Sequence, residues 1–396
     1  MRSVSADEVQ QARNQLAHAR RIVVKVGSNV LVGSGKGVVD RSVFCGMVEE
    51  LAALDGTHGR RTFLVSSGAI AVARRGIRNV KERGSETIST KQALAAIGQP
   101  KLMHLYSAEF ELYQKQIAQV LISPENLGER ERFLNARNTL RSLAEMKDVI
   151  PIINENDTTS TAEIRIGDND SLAAQAVSLI DADLLIILSD VDALYDADPK
   201  SSTSATRIPA VYADDEDILS LAKPADPTGV GSGGMATKLK AARIAGASGV
   251  PTVIAEGRRT GVIRSILNGE DLGTIFLPGE RRQARKLWLE FASRPSGNIV
   301  IDDGASRALK KQGRSLLSVG VSRVEGDFSA GSPVEVSTED GTLIGRGLAS
   351  YSSRELAMIA GHPSEEIESI LGFSNGDAVV HRDDFALISR LAANEE

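Results

Sequence analysis

Short unbroken runs of apolar and β-branched residues recur through about the first 280 positions of the chain, and each is followed by a polar break and a stretch with helical spacing. The runs Ile22–Val26, Thr62–Val65, Gln116–Ile122, Ile150–Ile153, Leu184–Leu188 and Pro251–Ala255 read as strands. The stretches Arg41–Leu54, Gly68–Arg75, Ser89–Gly98, Lys101–Tyr113, Arg132–Lys147, Asp170–Ile180 and Ala236–Ala247 read as helices. Pro100 is expected to open a new helix after Gly98, because proline suits a first turn and not an interior. Strands that alternate with helices predict an α/β fold: an open, mainly parallel sheet sandwiched by helices.

The pattern then changes. Asn298–Ile301, Leu316–Val321, Pro333–Ser337, Leu343–Leu348 and Ala378–His381 are short strands separated by Gly and Ser turns, which predicts a second, small β-rich domain. The expected division is a polar N-terminal extension over 1–20, an α/β domain over 21–280 and a charged linker over 281–293. The β-rich domain with its C-terminal strand follows over 294–384, and a tail over 385–396.

The residues just beyond the strands matter more than the strands themselves. Gly27-Ser28, Ser66-Ser67-Gly68, Ser123, Asn154 to Asp157 and Ser189-Asp190 all fall at strand carboxyl ends, the edge on which open α/β sheets bind ligands. The segment 150–170 is the densest. Ile150–Ile153 runs into Asn154, Glu155, Asn156 and Asp157, and a second cluster of Asp168, Asn169 and Asp170 starts a helix. One helix cap needs one such residue, so three in succession suggest a polar receptacle.

Composition narrows the possibilities. The net charge of −6 is concentrated late: from Arg294 onward there are 10 Lys/Arg against 16 Asp/Glu, which argues against a nucleic-acid backbone as the main partner. The longest conspicuous apolar run is Leu184–Leu188, so no membrane span is expected. A single cysteine, Cys45, and a polar N-terminus without an apolar core fit a cytoplasmic protein. The five histidines are scattered, and no protein-held metal site is expected.

Two lysines carry candidate chemistry. Lys25 ends the first strand, where burial is costly unless its ammonium meets a partner or an anionic ligand, and the adjoining Gly-Ser turn favours phosphate. Lys238 closes the run Gly229 to Lys238, a glycine-rich stretch that leads into a helix N-terminus. It is not a Walker A loop, because the order Gly-Lys-Ser/Thr is absent. The acidic stretch from Ser189 to Asp198 lacks the glycine and ligand spacing of a calcium loop, and its strand-end position favours a nucleotide wall at Ser189 and Asp190.

Together the strings Val-Val-Lys-Val-Gly-Ser, Val-Ser-Ser-Gly-Ala-Ile, Arg-Glu-Arg-Phe-Leu-Asn-Ala-Arg, Ile-Asn-Glu-Asn-Asp, Gly-Asp-Asn-Asp and Gly-Ser-Gly-Gly-Met-Ala-Thr-Lys resemble the amino acid kinase family. Ser-Leu-Leu-Ser-Val-Gly-Val, Gly-Asp-Phe-Ser-Ala-Gly and Ile-Gly-Arg-Gly-Leu-Ala resemble a PUA domain. Two departures are an Arg at 165 where lysine is expected and the segment before Arg21. The resemblance implies transfer of the ATP γ-phosphoryl group to the side-chain carboxylate of L-glutamate, the opening step of proline synthesis. It implies Lys25, Asp170 and Lys238 as the catalytic set, with Asp170 holding the lysines. Ser67, Asp157 and Asn169 would contact glutamate. Lys25, Ser189, Asp190, Ser232, Gly233, Gly234, Met235, Ala236, Thr237 and Lys238 would hold ATP, with Mg²⁺ carried mainly on its phosphates. L-proline is implied as a feedback inhibitor and a homodimer or homotetramer as the assembly. The alternatives are a sister kinase acting on aspartate, acetylglutamate, carbamate or UMP, and, from another class, a PUA-type RNA-binding protein.

Overall fold

The computed structural model describes residues 2–32, 38–74, 87–123, 127–159, 169–197, 199, 202, 204–221, 234–279 and 284–388. The chain divides into two compact units, one of residues 1–126 and 133–281, the other of residues 127–132 and 282–396.

The first unit is built on strands β1 (Arg21–Val26), β2 (Arg61–Ser66), β3 (Gln116–Ile122), β4 (Val149–Glu155) and β5 (Leu184–Ser189). A two-stranded ribbon, β6 (Leu194–Tyr195) with β7 (Arg207–Ile208), lies outside the sheet, and β8 (Ala210–Tyr212), β9 (Thr252–Glu256) and β10 (Thr274–Leu277) complete it. The order across the eight strands is β3-β4-β2-β1-β5-β9-β10-β8. Every pairing is parallel except β9 with β10. The central strands are buried over nearly their whole length, as their continuous Val, Ile and Leu runs require when helices cover both faces. β8 and β10 escape sequence reading because they are only three and four residues long.

The expected helix break at Pro100 does not occur. One helix runs Ile88–Glu111 with Pro100 inside it. Proline removes the hydrogen bond to the carbonyl of Ala96, but Ala96 and Pro100 are both exposed, so water can serve that carbonyl. What holds the helix here is tertiary. Gly98 lies so close to the helix Ala69–Arg74 that a Cβ on it would sit 1.8 Å from the Ala69 carbonyl oxygen. Gly98→Ala is therefore expected to destabilise the protein by at least about 1–3 kcal/mol, read as a lower melting temperature. An unchanged melting temperature would show that the two helices can part without cost.

The segment before Arg21 folds as part of this unit. Helix Ala6–Gln15 carries a Ser5–Glu8 capping box. Its Arg13, 1 % exposed, donates to the carbonyls of Glu270, Leu272 and Pro209 and pairs with Asp271 at 2.9 Å.

The second unit holds β11 (Gly297–Ile301), β12 (Leu316–Leu317), β13 (Val321–Gly326), β14 (Pro333–Thr338), β15 (Leu343–Leu348), β16 (Ala378–Val380) and β17 (Phe385–Leu387). Five strands form one sheet in the order β13-β11-β14-β15-β17, and β12 pairs with β16. The single strand expected over Leu316–Val321 is instead two strands split by a turn at Ser318–Gly320. The buried Ser318 hydroxyl donates to the His362 carbonyl at 2.8 Å, and a Cβ on Gly320 would meet Ala305 at 2.6 Å, so local packing bends the chain there. Within the stretch read as a linker, Ala284–Phe291 is a helix. Its Trp288 is buried and donates from Nε1 to the Leu127 carbonyl at 2.8 Å, and a Cβ on Gly128 would lie 3.0 Å from the Ala292 carbonyl. The residues taken as a tail from 385 begin with a strand of the sheet, β17.

Candidate active site

The polar groups of the first unit gather at the carboxyl ends of β1, β2, β4 and β5. Lys25 is the fifth residue of β1, in register with Val65 on one side and Ile187 on the other, and is 6 % exposed. Its ammonium lies 2.5 Å from Oδ1 of Asp170. Asp170 stands in the first turn of helix Asn169–Ile180, where the helix dipole favours a carboxylate. Its Oδ2 faces Lys238 Nζ at 3.3 Å and accepts the Thr237 hydroxyl at 2.7 Å. Both come from the first turn of helix Met235–Ala247, for which Gly234 is the N-cap.

Three segments far apart in sequence thus place two ammoniums and a hydroxyl on one carboxylate that is 1 % exposed. Burial alone would push the Asp170 carboxyl up, but Lys25, then Lys238, and the Lys25 and Thr237 hydrogen bonds overrule it and hold it well below the usual carboxylate range. The carboxylate therefore stays ionised at neutral pH and fixes both lysine heads.

A network of amides lies beside this trio. Asn169 Nδ2 donates to Ser67 Oγ at 2.9 Å and to Asn154 Oδ1 at 3.0 Å, and Asn154 Nδ2 donates to Gln99 Oε1 at 2.8 Å. Ser67 follows β2, its N–H bonded to the Val26 carbonyl, so it is tied to the end of β1 as well. Asp157, 8 % exposed, follows β4, and burial pushes its carboxyl up to about 6. Its Oδ1 is buried without a hydrogen-bond partner among the described residues. On the far side, Ser189 ends β5 and donates to Asp190, which also accepts the Asn29 amide at 3.0 Å.

Of the candidate residues, the structure brings Lys25, Asp170, Thr237 and Lys238 into contact and, separately, Ser67 and Asn169. Ser189 ends β5, and Asp157, Asp190, Gly234, Met235 and Ala236 occupy loop or helix starts on the elements just described. Ser232, Gly233, Asp168 and Arg165 lie outside the described residues, as do the glycines at 33, 35 and 37. Sequence reading did not single out Gln99 or the Thr237 contact with Asp170. Gln99 sits in a helix interior with no motif to flag it, and its sole sequence signal is the glycine before it.

Comparison with known proteins places the chain in a family. The model of the amino acid kinase family matches residues 20–256 and that of the PUA domain residues 297–371. The glutamate 5-kinase of Trichlorobacter lovleyi is 44% identical, over 95% of this chain and 99% of that protein. That of Thermus thermophilus is 47% identical over 93% of this chain and 97% of the relative, and that of Meiothermus ruber 46% over 94% and 97%. Among solved structures, UMP kinase from Bacillus anthracis aligns with a TM-score of 0.46 at 14% identity, covering 66% of this chain and 97% of that one. No helix among the described residues is long and apolar enough to cross a membrane. With the family model spanning more than half of its length and relatives this similar along nearly all of it, the chain belongs to the amino acid kinase family.

Proposed function

We propose that this protein transfers the γ-phosphoryl group of ATP to the side-chain carboxylate of L-glutamate, giving L-glutamyl 5-phosphate for proline synthesis. One observation carries the reading: the ammoniums of Lys25 and Lys238 converge on the buried Asp170 beside the Ser67–Asn169 pair. The relatives named glutamate 5-kinase supply the acceptor. A carboxylate oxygen of glutamate attacks the γ-phosphorus, the bond to the β-phosphate oxygen breaks, and ADP leaves. The glutamate carboxyl is already ionised at neutral pH, so no general base is needed. The step requires screening of like charge and stabilisation of the transferring group, which two fixed ammoniums provide.

Lys25, Ser189, Asp190 and the segment 232–238 are assigned to ATP, and Ser67, Asp157 and Asn169 to glutamate, with Asp157 on the α-ammonium. Mg²⁺ is assigned mainly to the nucleotide phosphates, where it would neutralise charge, because that ion keeps several waters and few protein ligands. Feedback inhibition by L-proline, a homo-oligomeric state and a cytoplasmic location belong to the same reading.

The test is acyl-phosphate trapping by hydroxylamine with ATP·Mg²⁺ and glutamate, aspartate, acetylglutamate or carbamate in turn. Glutamate should give the most hydroxamate, and a larger yield from any other acceptor refutes the assignment. Asp157 adds a pH signature. With its carboxyl at about 6, kcat/KM for glutamate should fall by about tenfold per unit as pH drops below that value, and Asp157→Asn should abolish the limb and weaken glutamate binding. A wild-type profile flat from pH 7 to 5, on a scale where about one unit is resolved, overturns the role. For stability the sign is opposite. The folded carboxyl lies above its ordinary 3.8, so the cost of burying the charge is full above about 6 and fades as pH falls toward 3.8.

A further inference from the structure

The acceptor side contains a hydrogen-bond relay whose direction can be read. Asn154, at the end of β4 and 2 % exposed, accepts the backbone N–H of Glu155 on Oδ1 at 2.9 Å. A backbone N–H can only donate, so this bond fixes which end of the Asn154 carboxamide is the oxygen. Nδ2 must point the other way, and there it finds Gln99 Oε1 at 2.8 Å. The same Asn154 oxygen accepts one hydrogen of Asn169 Nδ2, and the second goes to Ser67 Oγ. Both hydrogens of the Asn169 amide are thereby used. Its Oδ1 is buried without a hydrogen-bond partner among the described residues, as is Oδ1 of Asp157. Having accepted from Asn169, the Ser67 hydroxyl keeps its own proton to donate.

We propose that Gln99 is a positioning residue. By accepting from Asn154 it locks the relay so that Asn169 turns its oxygen, not its NH₂, toward the amino-acid acceptor. Without Gln99 the Asn154 carboxamide would be held by the Glu155 N–H alone, with its Nδ2 unserved, and the Asn169 amide would rest on a looser inner acceptor. Gln99 Nε2 is buried without a hydrogen-bond partner among the described residues, so the bond to Asn154 is what orients this side chain. With acceptors at Asn169 and Asp157 and a donor at Ser67, the pocket separates the ammonium of an amino acid from its carboxylate. This deepens the assignment of glutamate as acceptor and depends on it.

The test compares Gln99→Leu, which cannot accept, with Gln99→Glu, which can. Glutarate, which has both carboxylates of glutamate and no ammonium, serves as a competitive inhibitor. Gln99→Leu should raise KM for glutamate by about tenfold, with kcat and the glutarate Ki within about twofold of wild type. Gln99→Glu should bring KM back to within about threefold. An unchanged KM in Gln99→Leu, an equal rise in the glutarate Ki, or no recovery in Gln99→Glu each overturns the relay. A wild-type protein without activity on glutamate removes the underlying reading and the relay with it. An active wild type with an unaffected Gln99→Leu removes the relay alone.

Discussion

Lys238→Met should lower turnover by up to about three orders of magnitude while leaving glutamate affinity close to that of the wild type. An ammonium ~4 Å from a unit charge at an effective dielectric of ~20 is worth about 4 kcal/mol. At ~1.36 kcal/mol per decade of rate, that corresponds to about three decades. The effect should fall on turnover because Lys238 is assigned to the charge that develops as the phosphoryl group moves, whereas the glutamate contacts are assigned to Ser67, Asp157 and Asn169. Methionine keeps most of the apolar stem, and Asp170 retains Lys25 at 2.5 Å, so the fold should survive. Steady-state kinetics at saturating ATP separate the two parameters. Near-normal turnover would reduce Lys238 to a structural ion pair.

Asp170→Asn should be more damaging still, because it strikes stability and catalysis together. Breaking a buried ion pair by removing one partner costs about 3–5 kcal/mol, since the other charge is left without compensation. Here two ammoniums lose their carboxylate. At about 2–4 °C per kcal/mol for a unit of this size, the melting temperature should fall by about 10 °C. Activity should fall by at least about 10²-fold, the loss expected when a catalytic group is misplaced by about 1 Å. The pH dependence has a definite sign. The Asp170 carboxyl is held below its ordinary 3.8, so its stabilising contribution is fully present above that value and is lost only as pH falls beneath it. The variant should therefore lack this carboxyl's share of the acid denaturation below 3.8. A stable, active Asp170→Asn protein would refute the organising role.

These two residues also mark how much can be read from a sequence. Lys25 announces itself because a lysine in a run of valines has few physical justifications, and Lys238 because glycines precede it. Asp170 is visible as an excess of carboxylate and amide at a helix start. Gln99 is not visible in that way. It lies in a helix 55 positions before the amide it serves, and only the fold brings the two together. The central strands were legible because the apolar run is continuous where both faces are buried, and the edge strand Gln116–Ile122 was legible by its β-branched and apolar residues although only its last residue is buried. The failures came where tertiary contact outweighed a local rule. Gly98 against Ala69 carries a helix through Pro100, and Gly320 under Ala305 breaks an apparently continuous strand. The antiparallel β10 had no signal that distinguishes its direction.

The stretch Leu127–Arg132 belongs to the second unit although it is encoded in the middle of the first. A gene truncated after residue 281 would keep every residue of the first unit and strand the six-residue stretch without the rest of its own unit. It would leave the carbonyl of Leu127, a residue 1 % exposed in the full chain, deprived of the Trp288 donor. A chain cut to its first unit therefore still carries a six-residue stretch that packs as part of the second.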